Sequence, residues 1–385
     1  MNICRIATVP FFLQHHLYAQ IIASIEAGHK VTLISADGEE IKTLKEIHGV
    51  SFELIDIPRA ISPWRDFLAL WKLFVYFRKN HFDITHSATP KAGLLCAIAG
   101  FAARVPIRLH TFTGQPWMEL HGLTRFVAKA SDWLTAHLNT MVYADSFSQR
   151  DFLVKQRIVK KQKIAVIGSG SLAGVDVKRF EKQRWVNQIA SLRKQIGIPE
   201  HAFVLTFIGR LTKDKGISEL VEAFINLQSR KKEGVLLLIG PQEPKRDPLP
   251  QKTLALIQEN AFIFEVGYSN EPEKYLALTD ILCLPSYREG FGNVVIEAAA
   301  MGVPTVATDI VGLRDAVVNN VTGVLVRVKN VNELITGLEK LLNNSDERTE
   351  MGRLAMERAK REFNSSVVNL GVLVEYDRLA HQFLL

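Results

Sequence analysis

Short runs of apolar, often β-branched residues alternate along the chain with longer segments of helical character. The runs predicted as strands are Arg5–Val9, Lys30–Ser35, Phe52–Ile57, Asp83–Ser87, Ile107–Phe112, Thr140–Ser146 and Lys163–Gly168 in the first half, and Phe203–Gly209, Val235–Gly240, Ala261–Gly267, Asp280–Ser286, Pro304–Asp309 and Gly323–Val328 in the second. Because most of these runs are apolar throughout rather than alternating, they indicate parallel strands covered by helices on both faces.

The predicted strands fall into two sets on either side of a polar stretch, Asp176–Glu200. Strand–helix alternation of this kind predicts an α/β protein with two Rossmann-like, doubly wound domains that face a central cleft. The predicted domains are residues 1–178 and 190–365, and the C-terminal helix, 366–385, is expected to pack back on the first domain. Ligands of open parallel sheets bind at the carboxyl ends of the strands, so the cleft would hold two ligands.

The composition is that of a folded globular protein, with 385 residues, of which 47% are hydrophobic and 23% are charged. Its three cysteines, Cys4, Cys96 and Cys283, are too widely spaced for a disulfide framework or a zinc site. The longest uncharged run, Ala92–Ala103, is shorter than the ~18 apolar residues that span a bilayer. The N-terminus has the character of a first strand rather than of a signal peptide. A cytoplasmic protein is therefore expected.

The positive charge lies in the first half of the chain. Residues 1–185 contain 24 Lys and Arg against 15 Asp and Glu, whereas the remainder contains 23 against 25. This excess indicates either a solvated surface or contact with an anionic partner, such as a phosphorylated acceptor or the inner face of the cell membrane. No nucleic-acid-binding module is recognisable, so a nucleic-acid partner is not expected.

One segment, Pro63–Phe82, combines many aromatic residues with Arg65, Lys72, Arg78 and Lys79. Basic residues beside Trp and Phe are typical of a surface that lies at a membrane interface. The alternative is a helix buried against the first sheet.

Three glycines follow a predicted strand at Gly168, Gly170 and Gly174. A dinucleotide-binding turn needs the spacing G-x-G-x-x-G and a helix directly after it. Here the third glycine is one position late and a loop is predicted to follow, so nicotinamide binding is not favoured.

The second half contains a strand-to-helix turn with two acidic residues. Glu289 and the glycine-rich segment Gly290–Gly292 follow a predicted strand, and a strong helix with Glu297 inside it comes next. The amides at the start of a helix form an anion site, and glycines allow a ligand to approach the backbone. A buried carboxylate at Glu297 suits sugar or ribose hydroxyls better than phosphate.

A basic loop follows an earlier strand of the same set, where Arg210 and Lys215 lie a few residues apart. Arg grips two phosphate oxygens at once, and Lys adds a compact charge. Together with the turn at Gly290–Gly292, these side chains predict a diphosphate site at neighbouring strand ends.

The segments GRLTKDKG (209–216) and EGFGNVVIE (289–297) resemble those of the retaining nucleotide-sugar glycosyltransferases of family 4, which have the GT-B fold. The pair of glutamates eight positions apart, Glu289 and Glu297, is the most specific feature. The resemblance covers nearly the whole chain, including 28–31 and 174–180.

The resemblance implies that Arg210 and Lys215 bind the donor diphosphate and stabilise the leaving nucleotide. Glu289 would contact the donor sugar, and Glu297 the ribose hydroxyls. The donor-binding residues implied are Gly209, Arg210, Lys215, Val266, Gly267, Tyr268, Glu289, Gly290, Phe291, Gly292, Asn293, Val294 and Glu297. Such enzymes use no metal and no cofactor; the nucleotide sugar, most often a UDP-sugar, is a co-substrate.

The first half departs from the family pattern in two places. The glycine pair after the first strand is replaced by Val9–His16, and the family's T-x-H-G segment reads Thr111-Phe112-Thr113-Gly114. Either Thr113 occupies the catalytic histidine position, or His110 does. A third possibility is that His110 is a core histidine at a strand end.

The segments at 89–93, 110–117 and 144–153 resemble a subset of the family that builds bacterial surface polysaccharides such as O-antigen and capsule. Those enzymes extend sugars on a polyprenyl diphosphate, which implies a lipid-linked glycan acceptor. Implied acceptor residues are Phe12, His15, Lys91 and Gly114, with Asp66 and His16 nearby. Lys91 would meet the acceptor diphosphate or be an ordinary first-turn lysine. A soluble sugar or sugar-phosphate acceptor, and a non-catalytic scaffold, are the alternatives.

Overall fold

The computed structural model describes residues 1–58, 62–230, 234–244 and 247–384. The chain divides into two compact units. Unit 1 comprises Met1–Gly174 together with Ser365–Leu385, and unit 2 comprises Val175–Asn364.

The strands in the described residues are β1 (Asn2–Ile6), β2 (Lys30–Ser35), β3 (Val50–Leu54), β4 (Ile84–Ser87), β5 (Ile107–Phe112), β6 (Met141–Ala144) and β7 (Ile164–Ala165) in unit 1, and β8 (Phe203–Ile208), β9 (Gly234–Ile239), β10 (Ile263–Gly267), β11 (Ile281–Leu284), β12 (Thr305–Thr308) and β13 (Gly323–Val326) in unit 2. All neighbouring strands pair in parallel.

The α-helices in the described residues are α1 (Pro10–His16), α2 (Tyr18–Glu26), α3 (Ile41–Lys45), α4 (Pro63–Asn80), α5 (Pro90–Ala102), α6 (Gly122–Leu138), α7 (Phe147–Lys155), α8 (Ile189–Ile196), α9 (Ile217–Ser229), α10 (Gln251–Glu259), α11 (Pro272–Leu276), α12 (Asn293–Ala300), α13 (Leu313–Ala316), α14 (Val331–Asn343), α15 (Ser345–Glu362) and α16 (Ser365–Phe383).

Each unit contains one doubly wound sheet, which confirms the predicted α/β fold with two Rossmann-like domains. The strand order is β3-β2-β1-β4-β5-β6-β7 in unit 1 and β10-β9-β8-β11-β12-β13 in unit 2. In each sheet the strands that follow the first strand are added on one side of it and the later strands on the other, so the order reverses at β1 and at β8. Right-handed crossovers place the helices on opposite faces before and after such a reversal.

The runs Lys30–Ser35 and Ile107–Phe112 have the same bounds as β2 and β5, whereas β1 begins three residues before its predicted run, Arg5–Val9. The run Lys163–Gly168 forms only the two-residue strand β7, because the backbone turns where Gly170 donates to the carbonyl of Ile167. No helix follows this strand before the 3₁₀ helix at Lys182–Gln188, and the intervening residues are all described. The dinucleotide-binding geometry is therefore absent from Gly168–Gly174.

The division between the units differs from the predicted domain limits of 178 and 190. Val175 already belongs to unit 2, because its amide donates to the carbonyl of Phe363 and it bridges to Asn364. Val175 and Phe180 are buried in the core of unit 2. The polar stretch that suggested the boundary lies within unit 2.

A buried polar cluster joins α16 to the sheet of unit 1. The guanidinium of Arg5 on β1 donates to the hydroxyl of Tyr376 on α16 and to Gln20 Oε1 at 3.0 Å. His86 Nδ1 lies 2.7 Å from the same hydroxyl. Burial, the charge of Arg5 and His110 hold the pKa of His86 well below its ordinary value, so the imidazole is neutral. Apolar packing of Val372 and Leu379 around this cluster completes the attachment.

No helix within the described residues has the length and apolar character needed to cross a bilayer.

The attachment of α16 is testable with Tyr376→Phe. Removing the hydroxyl leaves a buried N–H of the Arg5 guanidinium without its acceptor, which costs about 2 kcal/mol. Amide hydrogen exchange of α16 should accelerate on the order of tenfold, as measured by mass spectrometry of its peptides. Tyr18→Phe is the control, because the Tyr18 side chain is exposed. Equal exchange in both variants would contradict the role of the cluster.

Candidate functional site

The predicted donor residues of unit 2 gather where its strand order reverses. β8 pairs with β9 on one side and with β11 on the other, so the loops after β8 and β11 leave the carboxyl edge side by side. Arg210 and Lys215 are in the first loop, and Glu289 and Gly292 are in the second. This is the usual ligand position of an open parallel sheet.

The two loops are fastened by an ion pair and by a close backbone contact. Lys215 Nζ lies 2.5 Å from Glu289 Oε1, and both side chains are largely shielded from solvent. Ser286 Oγ also donates to Glu289 Oε1, at 2.8 Å. At Gly216, where φ is +70°, a Cβ would lie 2.2 Å from the carbonyl oxygen of Pro285. Only glycine allows this approach, and it brings the loops close enough for the amide of Tyr287 to donate to the carbonyl of Asp214 at 2.8 Å.

A cluster of basic side chains surrounds Asp214, which lies between Arg210 and Lys215 in sequence. Asp214 Oδ2 is 3.2 Å from Arg288 Nη2 and 3.8 Å from Arg210 Nη2, and Thr212 donates to Oδ1 at 2.5 Å. Burial alone would raise the pKa of Asp214. The Thr212 hydrogen bond and the nearby cations outweigh it and hold that pKa below its ordinary value. The ionised carboxylate therefore anchors cations at the end of β8.

Arg210 has a second carboxylate partner on the loop after β9. Its Nη1 donates to Glu243 Oε2 at 2.9 Å, and its side chain is about one-third exposed. Backbone bonds tie these loops together, since the amide of Leu211 donates to Pro241 and that of Gly240 to Gly267. Arg210 is thus held at the carboxyl edge with its guanidinium accessible.

Helix α12 begins at this edge. Gly292 is its N-cap with φ +82°, and Asn293 is the first helical residue. The positive end of the helix dipole therefore faces the basic loop and adds to its attraction for anions. The Phe291 side chain is buried against Phe363, and Val294 packs at the margin of the same core, so these two would reach a ligand through their backbone.

Glu297 lies one turn into α12 beside a second ion pair. Burial raises the pKa of Glu297 to about 7, the charge of Arg179 opposes this shift, and Glu273 adds to it. Arg179 itself holds Glu273 through two bonds of 3.0 and 2.8 Å. Near neutral pH the Glu297 carboxyl is therefore partly protonated. Its ionised form accepts hydrogen bonds, and its protonated form can also donate one.

The predicted base-covering loop follows β10, two strands away from β8. β10 ends at Gly267, where φ is +80°, and the ring of the next residue, Tyr268, is 58% exposed. Val266 is partly buried. These residues share the carboxyl edge of the sheet with the other donor candidates.

His110 of unit 1 lies inside β5 rather than at its end. Its ring packs edge-on against Phe112 and directly over Gly93, where a Cβ would meet the imidazole at 2.4 Å. Ser87 Oγ is 3.0 Å from His110 Nδ1. Burial lowers the pKa of His110 to about 3, against a smaller opposing effect of the Ser87 hydrogen bond. These surroundings are those of a core histidine, one of the alternatives left open by the sequence.

Thr113 is the residue that reaches the carboxyl edge of β5. Its hydroxyl donates to the carbonyl of Ala88, 3.2 Å away, and Gly114 follows with φ +126°. Two residues were candidates for the position of the family histidine, and Thr113 is the one that lies at the carboxyl edge of the sheet.

The remaining acceptor candidates lie in helix α1 and in the first turn of α5. Val9–His16 forms helix α1 instead of a glycine-rich loop; Phe12 packs beside a core cluster, and the exposed His15 stacks on Phe11 at 4.2 Å. Lys91, in the first turn of α5, pairs with Asp66 on α4 at 2.6 Å.

Several residues around the donor candidates have no sequence motif of their own. They are Asp214, Glu243, Arg288, Arg179 and Glu273. Asp214 lies within the basic loop and Arg288 directly precedes Glu289, so their position near the donor candidates could have been predicted from the sequence. Glu243 and the Arg179–Glu273 pair come from distant segments, and no local signal places them at this edge.

Two family models match the chain. Residues 188–358 match glycosyl transferases group 1, and residues 13–171 match glycosyltransferase family 4. The first match contains the donor candidates of unit 2, and the second contains the acceptor candidates of unit 1, apart from Phe12.

Relatives and solved structures are similar over most of the chain. The capsular polysaccharide biosynthesis glycosyltransferase CapM of Staphylococcus aureus is 30% identical over 338 residues, which is 88% of this chain and 87% of that protein. The UDP-Gal:α-D-GlcNAc-diphosphoundecaprenol α-1,3-galactosyltransferase of Escherichia coli is 26% identical over 74% of this chain and 73% of its own length. The crystal structure of Anabaena HepE with UDP superposes with a TM-score of 0.79 at 19% identity, covering 98% of this chain and all of HepE.

The close contact at Gly216 predicts an unequal effect of two matched substitutions. Gly216→Ala and Gly302→Ala both force an alanine into φ near +70°, which costs about 1–2 kcal/mol. Only Gly216→Ala adds a clash with Pro285, whereas the space beside Gly302 is open. Chemical denaturation should show a larger loss for Gly216→Ala, by about 2 kcal/mol or more. Similar losses in both variants would show that the loops are not fastened there.

The pKa of Glu297 predicts a pH-dependent stability. The folded chain retains this proton up to about pH 7, whereas the unfolded chain releases it near 4.5. The wild-type free energy of unfolding should therefore fall as pH rises through this interval. Glu297→Gln removes that loss, so the variant should gain on the order of 2 kcal/mol relative to wild type between pH 5 and pH 8. Denaturation at both pH values measures the difference, and parallel profiles would contradict it.

Proposed function

Because the chain belongs to the group 1 glycosyltransferases, we propose that it transfers a sugar from a uridine diphosphate donor to a glycan on a polyprenyl diphosphate, without a metal ion and with retention of configuration. The observation that carries the donor assignment is the clustering of Arg210, Lys215 and the start of α12 where β8 and β11 diverge.

The donor diphosphate would lie across this edge. Arg210 would bind its oxygens through two N–H groups, and Lys215 would add a point charge. The positive end of the α12 dipole would add to the attraction for the diphosphate. Entry of the sugar brings its hydroxyls to Glu289, and the ribose hydroxyls to Glu297. The uridine in the name of the Escherichia coli relative supports UDP as the nucleotide.

These fixed positive charges are the reason to propose a metal-independent reaction. As the bond between the sugar C1 and the phosphate oxygen breaks, negative charge develops on the leaving diphosphate. Arg210 and Lys215, which pair with Glu243 and Glu289 here, would turn toward that charge and stabilise it. Arg288, held beside them through Asp214, strengthens the same field.

Retention follows if the acceptor enters on the face from which the diphosphate leaves. The acceptor hydroxyl forms the new bond to C1, and its proton passes to the departing phosphate oxygen. The protein then positions the reactants and supplies electrostatic stabilisation, without a separate histidine base. The burial of His110 within β5 agrees with this proposal.

The lipid-linked acceptor is proposed from the relatives and from the charge of unit 1. The named acceptor of the Escherichia coli relative is a sugar on diphosphoundecaprenol, and the Staphylococcus aureus relative serves capsular polysaccharide synthesis. The excess of basic residues up to residue 185 suits an acceptor that carries a diphosphate.

Thermal unfolding with UDP, GDP, ADP and NAD tests the donor site. A ligand that binds only the folded protein stabilises it by about 2.7 kcal/mol at a hundredfold excess over Kd. We expect a shift with UDP that is reduced in Arg210→Ala and in Glu297→Ala.

Arg353→Ala is the matched control, since this exposed arginine of α15 pairs with Glu350 and Glu357 away from the site. An undiminished UDP shift in Arg210→Ala would place the donor elsewhere. A shift with NAD alone would overturn the glycosyl-donor assignment, and incorporation of sugar only into a soluble acceptor would overturn the lipid-linked acceptor.

A further inference from the structure

Helices α4, α5 and α6 form one layer on unit 1. They follow β3, β4 and β5, which progress in one direction across the sheet, so right-handed crossovers place them on the same face. α5 packs against α4 on one side and α6 on the other. Their outer surfaces therefore face the same way.

The outer side of α4 is apolar. Ala69, Leu73 and Phe77 form its buried stripe. At 100° per residue, the stripe that contains Trp64, Leu68, Trp71 and Val75 is on the opposite side of the helix. Trp64 is 69% exposed and Trp71 57%. The helix thus has one apolar side for its own core and a second, rich in tryptophan, that faces outward.

The first half of α6 has the same character. Every residue from Glu119 to Val127 is exposed, and this stretch includes Leu123 and Phe126, which are 77% and 70% exposed. Trp133 continues the stripe seven residues after Phe126, two helical turns further on, and is also exposed. Large aromatic side chains of a water-soluble surface are rarely grouped in this way.

Basic residues outnumber acidic ones around this surface, where Asp56 pairs with Arg65 and Glu119 precedes α6. The acidic residues of α4, α5 and α6 are Asp66, which pairs with Lys91, and Asp132, which is buried and accepts from Trp117. The basic residues of the same helices are Arg65, Lys72, Arg78, Lys79, Lys91, Arg125 and Lys129. Beyond Trp133, a groove between α6 and the following segment is lined by Arg157, Lys160 and Lys161.

We propose that the α4–α6 surface, defined by Trp64, Phe67, Trp71, Leu123 and Phe126, docks on a bilayer that contains anionic lipids. Aromatic rings occupy the headgroup boundary, and surrounding lysines and arginines attract anionic headgroups. A second copy of the chain is a poorer occupant, because it would bring the same positive charges together.

The docking position suits the proposed acceptor, and in this respect it rests on the proposed function. The N-termini of α4 and α6, near which Trp64, Leu123 and Phe126 are exposed, lie at the carboxyl edge of the first sheet. Thr113 and Lys91 lie at that edge too. If a bilayer is bound there, a lipid-linked diphosphate can reach unit 1 while its lipid stays in the membrane.

Flotation with vesicles of phosphatidylcholine alone, or mixed equally with phosphatidylglycerol, tests the surface in the full chain without nucleotide. We expect binding to the mixed vesicles that weakens at high salt. Trp64→Ser combined with Trp71→Ser should reduce binding on the order of tenfold or more, and Lys72→Gln about fivefold. These side chains are exposed, so the fold should persist, and an unchanged midpoint of thermal unfolding without nucleotide serves as the check.

Matched controls come from other parts of the chain. Leu370→Ser combined with Val374→Ser removes exposed apolar residues of α16, which packs on α2 rather than on α4–α6, and Lys360→Gln removes a lysine from unit 2. Both should bind vesicles like wild type. Equal losses in test and control variants, or no binding at all, would overturn the proposal. So would sedimentation showing a dimer that only the tryptophan variants abolish.

The readouts separate the two proposals. Vesicle binding without any UDP shift would leave the docking surface standing while the donor site fails. A UDP shift with vesicle binding unaffected by the tryptophan substitutions would leave the donor site standing while the docking surface fails.

Discussion

The geometry of the candidate donor site depends on β8, the strand at which the second sheet reverses its order. Its two neighbours continue in opposite directions, so no crossover helix covers the space between the ends of β8 and β11. Both loops that border this space are then tied together by the ion pair of Lys215 with Glu289 and by the backbone bond from Tyr287 to Asp214. Paired cations and carboxylates are therefore held at the place on the sheet edge where the topology leaves room for a ligand.

Much of this arrangement was predictable from the sequence. Continuous apolar runs identify parallel strands because both faces are covered, and residues just past the strand ends must meet at one edge. Arg210, Lys215, Glu289 and Glu297 follow from that rule together with the family resemblance. Contacts between distant segments were not predictable in this way. Glu243 reaches Arg210 across 33 positions and Glu273 reaches Arg179 across 94, and no periodicity encodes such separations.

The acceptor side illustrates a different limit. Within β5, side chains alternate between the faces of the sheet, and the sequence does not reveal whether His110 or Thr113 is the residue at the edge. Packing decides it, because Gly93 of α5 leaves room for the imidazole of His110 inside the layer. Similarly, the apolar character of α4 indicated either a buried helix or an interfacial one. The structure shows that the helix has both a buried and an exposed apolar side. The number of aromatic residues in the segment does not reveal that there are two such sides.

The return of α16 to unit 1 has a consequence for synthesis on the ribosome. Unit 2 is one uninterrupted stretch, Val175–Asn364, and has all its strands before the final helix is translated. Unit 1 emerges first, yet its buried Arg5 and His86 lack the hydroxyl of Tyr376 until the last residues leave the exit tunnel. The unit that is made first is thus completed last, and a chain truncated near residue 364 would contain a finished unit 2 and an unfinished unit 1.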